Sequence, residues 1–151
     1  MKKRISFLLA AVLILAVLLP ALPVLAEGEN TFKADDANPT ISTAADYIAF
    51  FNEVFKNGNA FSEKTITLLN DITFNDMSSN NWYAQAGVTA LVGTDKANYF
   101  SGTFDGNGHT LRGVVVNGST PRWDIPCGLF PAASGATIKN LTVDGFYVCG
   151  T

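Results

Sequence analysis

Apolar residues along the chain fall first into one unbroken run, then into one helical stripe, then into short β-branched runs parted by turn residues. Met1-Lys2-Lys3-Arg4 precedes an apolar run from Ile5 to Leu19, broken only by Ser6. Pro20 and Pro23 end it, and Val24-Leu25-Ala26 follows. A positive start, an apolar middle and small or tolerated residues at a cleavage point predict a secretory signal peptide over 1–26. An uncleaved anchor is the rival, since residues 5–26 nearly suit a bilayer span. The two prolines favour cleavage before Glu27. Residues 27–40 are polar and acidic and predict a flexible leader.

From 41 to 58 the period is helical. Ala44, Tyr47, Ile48, Phe50, Phe51, Val54 and Phe55 share one face, while Asp46, Ala49, Asn52, Glu53 and Lys56 share the other. Ser42 or Thr43 begins the helix, and Thr43 with Asp46 three positions on resembles a capping box in which Asp replaces the usual Glu. Gly58 is placed to end the helix.

After residue 59 the period shortens. Thr65–Leu69 and Ile72–Phe74 read as the first strands. Residues 75–98 form a long loop holding one apolar segment, Val88–Val92. Trp82 and Tyr83 in that loop are either a ligand platform or pins that hold it to the body; pinning is the commoner use of such aromatics. Tyr99–Asp105 and His109–Val116 are strand-like around Asp105-Gly106-Asn107-Gly108, a sharp turn built on residues that accept positive φ. A second loop spans 118–126. Cys127–Phe130 predicts a short strand, Ala136–Val143 another, and Phe146–Cys149 the last.

Residues 110–118 align with residues 137–145 at an offset of 27, matching Thr with Thr, Leu111 with Ile138, Arg112 with Lys139 and Asn117 with Asp144. A strand-sized repeat, with chance similarity of two β-branched runs as its rival, predicts a stacked array; the helix is then its end cap, the alternative being an ordinary packing helix of an α+β domain. In that register Leu111, Val114, Val116, Ile138, Leu141 and Val143 face one core and Val115 faces out. Leu111 reaches inward only if the strand bends near Gly113. Arg112 and Lys139 stack on neighbouring coils.

Composition narrows the function. Residues 1–26 hold three of the ten Lys and Arg and none of the 13 acids, so the remainder carries seven bases against 13 acids, a net charge of −6. This disfavours nucleic acid and anionic membranes as partners. The Asp105–Val116 segment fails the calcium-loop pattern, because His109 and Val116 occupy positions that need oxygen ligands. Gly106, Gly108 and Gly113 do not fit a dinucleotide fingerprint, with Leu111 in the third glycine position. His109 beside Asp105 is a candidate base and orienter, but no nucleophile motif accompanies it and a structural role is favoured. No residue pattern calls for a cofactor or metal. Asn117-Gly-Ser and Asn140-Leu-Thr are formal glycosylation sites of little weight here.

The motifs F-S-G-T-F-D-G-N-G-H-T-L-R-G (100–113), C-G-L-F (127–130) and G-A-T-I-K-N-L-T-V-D-G (135–145) together resemble the first coils of bacterial exported surface proteins. Those are right-handed parallel β-helices, some with GLUG-type repeats related to IgA-protease N-terminal regions. Pro131 departs from the pattern, and the GLUG repeat itself is absent. The resemblance implies a mainly β fold, a right-handed parallel β-helix start over 59–151 behind an N-terminal amphipathic capping helix, incomplete at its C-terminal end. It implies a secreted or cell-surface location and a non-catalytic adhesion-type role. Its partners would be a surface glycan, a host or neighbouring protein, or further coils or self-association at an open C-terminal edge. The alternative is the N-terminal part of a polysaccharide lyase or glycoside hydrolase whose catalytic coils lie beyond this chain.

Cys127 and Cys149 each precede a glycine, 22 residues apart. The shortfall of five against the repeat matches the longer 118–126 loop, so the two are expected at equivalent positions in adjacent coils. They form either a disulfide, favoured by export, or a stacked pair of thiols.

Overall fold

The computed structural model describes residues 28–85, 89–92, 98–117 and 127–149. The signal-like segment 1–26 lies outside them. Thr40–Ile41 forms β1, followed by helix α1 (Ala44–Phe55). Then come β2 (Thr65–Leu68), β3 (Ile72–Thr73), β4 (Ala90–Val92), β5 (Thr103–Asp105), β6 (Thr110–Asn117), β7 (Thr137–Lys139) and β8 (Thr142–Cys149). The fold is mainly β, with α1 the only α-helix among the described residues.

All strand pairs between these elements are parallel and make two sheets. One runs β1-β2-β5-β7. The other is centred on β6, which pairs with β3 and β4 on one side and β8 on the other. β3 meets β6 at Leu111 and Arg112, and β4 meets it at Val115 to Asn117. β3 and β4 are thus two halves of one line, interrupted by an excursion from Asn75 to Thr89.

α1 starts as the sequence predicts. The Asp46 N–H donates to Thr43 Oγ1 at 3.1 Å, and the Asp46 carboxylate accepts from the Thr43 and Ser42 N–H groups at 3.1 and 2.9 Å. Gly58, at φ +84°, closes the other end by donating to the Val54 carbonyl at 3.2 Å. Tyr47, Phe50, Phe51, Val54 and Phe55 are buried. Asp46, placed by the helical pattern on the polar face, is buried too, because the chain before β1 folds over it. The Thr31 N–H donates to its Oδ1 at 2.6 Å. Phe32 packs edge-on against Phe50 and Phe61, and Lys64 Nζ donates to the Ala34 and Asp36 carbonyls at 2.8 and 3.0 Å. Segment 28–39, expected as a flexible leader, therefore makes specific contacts with the body.

The core is aromatic and joins helix to sheets. The Phe50 ring lies 5.5 to 6.3 Å from six others: Phe32, Tyr47, Phe61, Phe100, Phe104 and Phe130. Tyr47 meets Phe74 at 5.5 Å and donates its hydroxyl to the Leu129 carbonyl at 3.1 Å. Burial pushes the Tyr47 hydroxyl pKa well above its usual value. Ile72, Phe74 and Leu91 are buried although no described strand lies beyond β3 or β4, and Phe74 packs edge-on against Tyr47 of α1.

The ladder corrects the repeat read from sequence. Thr110 pairs with Thr142, a step of 32, and Thr103 pairs with Thr137, a step of 34. The offset of 27 aligned Thr110 with Thr137, which sit in different sheets. The cause is the corner between them. Asn140 takes φ +53°, so 136–143 is not one strand but the end of β7, a corner, and the start of β8. Cys127–Phe130 is likewise no strand: Leu129 and Phe130 pack on the core from irregular backbone.

Within β6 the inward set holds. Leu111, Val114 and Val116 are buried in the core, and the bend falls at Gly113, with φ +62°. A Cβ there would run into the Asn75 main chain. Val115 lies outside the main core yet is buried on the other face, where its ladder neighbours are Ala90 and Tyr147. Leu141 packs against the core. Ile138 and Val143 were expected inside, but they are 45% and 41% exposed, and Phe146 and Val148 follow at 43% and 44%. Their ladder partners Phe104, Leu111, Val114 and Val116 are fully buried, so these residues continue the inward rows, but in a register other than the expected one: Val143 lies beside Leu111 and Ile138 beside Phe104.

Candidate functional site

The polar residues singled out by sequence gather along the corner where one sheet hands the chain to the other. Asp71, residues 105–109 and residues 139–140 lie there in successive passes. Asn107 and Gly108 take φ +52° and +81°, and the His109 N–H donates to the Gly106 carbonyl at 2.8 Å, which closes the turn. Gly106 is needed for closeness: a Cβ would strike the Asn140 carbonyl and Leu141 of the next pass. The Gly106 and Gly108 N–H groups donate to Lys139 and Asn140 carbonyls, both at 2.9 Å.

Side chains bind these turns layer to layer. Asp71 Oδ1 accepts from the Thr110 N–H at 3.0 Å and lies 3.2 Å from His109 Nδ1. Asn107 Nδ2 donates back to the Leu68 carbonyl at 3.3 Å. Asp105 Oδ1 accepts from the Asn107 N–H at 2.9 Å and from Asn140 Nδ2 at 3.0 Å, and its Oδ2 lies 3.2 Å from Lys139 Nζ. Arg112 Nη1 meets Asp144 Oδ2 at 3.3 Å. The Thr110 N–H, then His109, holds the Asp71 carboxyl below the usual carboxylate value. The Asn140 amide, then the Asn107 N–H, does the same for Asp105.

Two sequence expectations change here. His109 faces Asp71, not Asp105, so the base-and-orienter pair has a different acid. Arg112 and Lys139 do not stack on each other; each meets a carboxylate of the neighbouring pass, because the true step is 32 to 34. Arg112, Asp144 and Lys139 are about half exposed and Asp105 is partly exposed, so each pair is worth little to stability. Asn117 and Asn140 are exposed, and the Asn140 amide is engaged with Asp105. Among the described residues no group of three His, Cys, Asp or Glu is placed to hold a metal.

A second feature lies on the outer face of the β6 sheet. Asn75 is buried at the neck of the 75–89 excursion. Its Nδ2 donates to the Thr89 and Gly113 carbonyls at 2.8 and 2.7 Å, and its Oδ1 accepts from the Thr89 N–H at 2.7 Å. The amide thus continues the ladder where the strand is interrupted. Farther out, a short 3-10 turn at Trp82–Ala84 carries Tyr83, which stacks on Tyr147 of β8 at 3.8 Å and 11°. Trp82 meets Tyr83 edge-on at 5.8 Å. The pair pins the loop, as loop aromatics usually do. Asn75 and Tyr147 had no distinguishing signal in the sequence, since an Asn after a short strand and a Tyr within one are ordinary.

Cys127 is half buried against the core, and Cys149 ends β8 beside Asn117 in the ladder. The equivalence of the two cysteines therefore fails with the offset of 27 that produced it. The Cys149 side chain lies outside the described residues, and so does the expected disulfide. No described helix is long and apolar enough to cross a membrane. Compared with known protein families, curated proteins and solved structures, the chain matches none.

Proposed function

We propose that the two sheets are the opening coils of a right-handed parallel β-helix, capped by α1, in an exported surface module that binds rather than catalyses. One observation carries the reading: among the described residues every inter-strand pair is parallel, and the sheets exchange the chain at a corner whose residues bond pass to pass. The signal-like pattern of residues 1–26 supports export. The surface such a stack presents is long, rigid and polar, which suits adhesion to a glycan or to a host or neighbouring protein.

The enzyme alternative has one specific observation in its favour. Asp105, Arg112, Lys139 and Asp144 do bring acids and bases onto consecutive passes. Each is engaged by an opposite charge, so none is set apart as acid, base or nucleophile.

Fractionation of an expressing bacterium, followed by glycan-array and matrix-protein binding, tests the proposal. Expected are recovery outside the membrane with Glu27 first, and saturable binding to one surface class. Retention in the cytoplasm, or release of new sugar ends from a polysaccharide, would overturn it.

A further inference from the structure

The excursion between β3 and β4 is held in two different ways. At its neck the buried Asn75 amide bonds Thr89 and Gly113. Beyond the neck the polar ties to the sheet stop. Among the described residues, 76–85 hydrogen-bond only with one another: the Ser78 N–H and hydroxyl donate to the Asp76 carboxylate, both at 2.9 Å, the Trp82 N–H to the Ser79 carbonyl at 3.2 Å, and Gln85 Nε2 to Asn81 Oδ1 at 2.7 Å. This stretch meets the sheet through apolar contacts, with Tyr83 stacked on Tyr147 and Met77 laid on Gly145.

The seat of Met77 is made by missing side chains. Gly113 and Gly145 stand side by side, between the ladder pairs Arg112–Asp144 and Val114–Phe146, and take φ +62° and +70°. A Cβ on Gly145 would run into Met77 Sδ, with Met77 Cε and the Gly113 nitrogen next nearest. The thioether fills the space a side chain would take, against main chain fixed by the bend. The Asp76–Ser78 bonds make a tight turn around it.

A thioether suits this seat and a sulfoxide does not, because the added oxygen is polar and needs room. Met77 is half-buried, which leaves Sδ within reach of a small peroxide. Sulfur gives an electron pair to one peroxide oxygen, so that an S–O bond forms and the O–O bond breaks. The departing hydroxide takes the proton from the new S–OH group and leaves as water. Sulfur is oxidised, the peroxide is reduced, and a reductase reverses the change.

We infer that Met77 is an oxidation site that acts as a latch. As the thioether it holds the excursion on the sheet, and as the sulfoxide it lets residues 76–85 lift while the Asn75 neck keeps β3 and β4 on β6. The inference goes beyond the surface-module reading and does not use it, so either can fail without the other.

The test treats the mature protein, whose sole methionine is Met77, with dilute hydrogen peroxide. Peptide mass mapping follows oxygen uptake, chymotrypsin cleavage after Trp82 and Tyr83 follows the excursion, and amide exchange follows β6. Expected is cleavage about tenfold faster once Met77 carries the oxygen, with β6 protection unchanged. Met77→Leu keeps both cysteines and should not respond to peroxide, which separates the latch from thiol oxidation. The wild-type measurement needs no substitution, so a misfolded variant cannot imitate it. Oxidation of Met77 without faster cleavage, an equal peroxide response in Met77→Leu, loss of β6 protection in step with cleavage, or a Met77 that resists peroxide until the chain is unfolded would each overturn the inference.

Discussion

Phe50 of α1 and Phe104 of β5 lie with their ring centroids 5.5 Å apart, tilted by 44°, in the middle of the molecule. Through this contact a helix that follows the first strand is bound to a strand two passes later. Phe50→Ala removes the ring that touches six others. The loss expected is about 3–5 kcal/mol, typical of a buried Phe replaced by Ala. Urea unfolding measures it, and a change below about 1 kcal/mol would mean that the helix does not plug the core.

Asn75→Ala removes the amide that bonds the Gly113 carbonyl and the Thr89 main chain. The expected cost is about 1–3 kcal/mol for each such group that water cannot reach. Limited proteolysis separates this effect from a general weakening. Cleavage between residues 76 and 88 should rise before any within β6.

Gly113→Ala places a methyl group against the Asn75 main chain at a residue with φ +62°. Destabilisation of more than about 1 kcal/mol is expected. The same substitution at Gly108, where φ is +81° but no atom lies within 4 Å, isolates the backbone term. If the two variants lose equal stability, crowding at Gly113 contributes nothing.

Acid should loosen the corner and the N-terminal segment together. Burial raises the Asp46 pKa, but the Ser42 and Thr31 N–H bonds, with Thr43 and the Thr31 hydroxyl, outweigh it and leave the carboxyl below its usual 3.8. Asp71 and Asp105 are lowered as well. A carboxylate depressed in the folded state stabilises it above the unfolded pKa, and that contribution goes as pH falls through the folded value. Stability from these three groups is therefore flat above about pH 5 and declines below the 3.8 reference. Chemical denaturation between pH 2.5 and 6 follows it, and Asp46→Asn should flatten part of the decline.

The helix was legible in detail, because Thr43, Asp46 and Gly58 are local signals and its stripe is long. The strands were legible as β-branched runs, and the bend at Gly113 followed from having to seat Leu111 and Val114 on one side. The ladder step was not. Thr110 and Thr137 each begin a Thr-apolar-basic triplet, so two strands from different sheets looked like copies. What separates them is the corner at Asn140, and an Asn inside a strand-like run gives no warning of positive φ. Burial of Asp46 was hidden for another reason: it depends on Thr31, which folds back across fifteen residues.

The Asn75 bridge has a consequence for sequence change. Because the amide closes the excursion at its neck, β3 and β4 keep their places on β6 whatever lies between them. Length added between residues 76 and 88 then enters as loop-closure entropy, about 0.6 kcal/mol for each doubling. Related chains can vary freely in what they display on this face while inheriting the same ladder, and foreign segments grafted there should not shift a single strand pair.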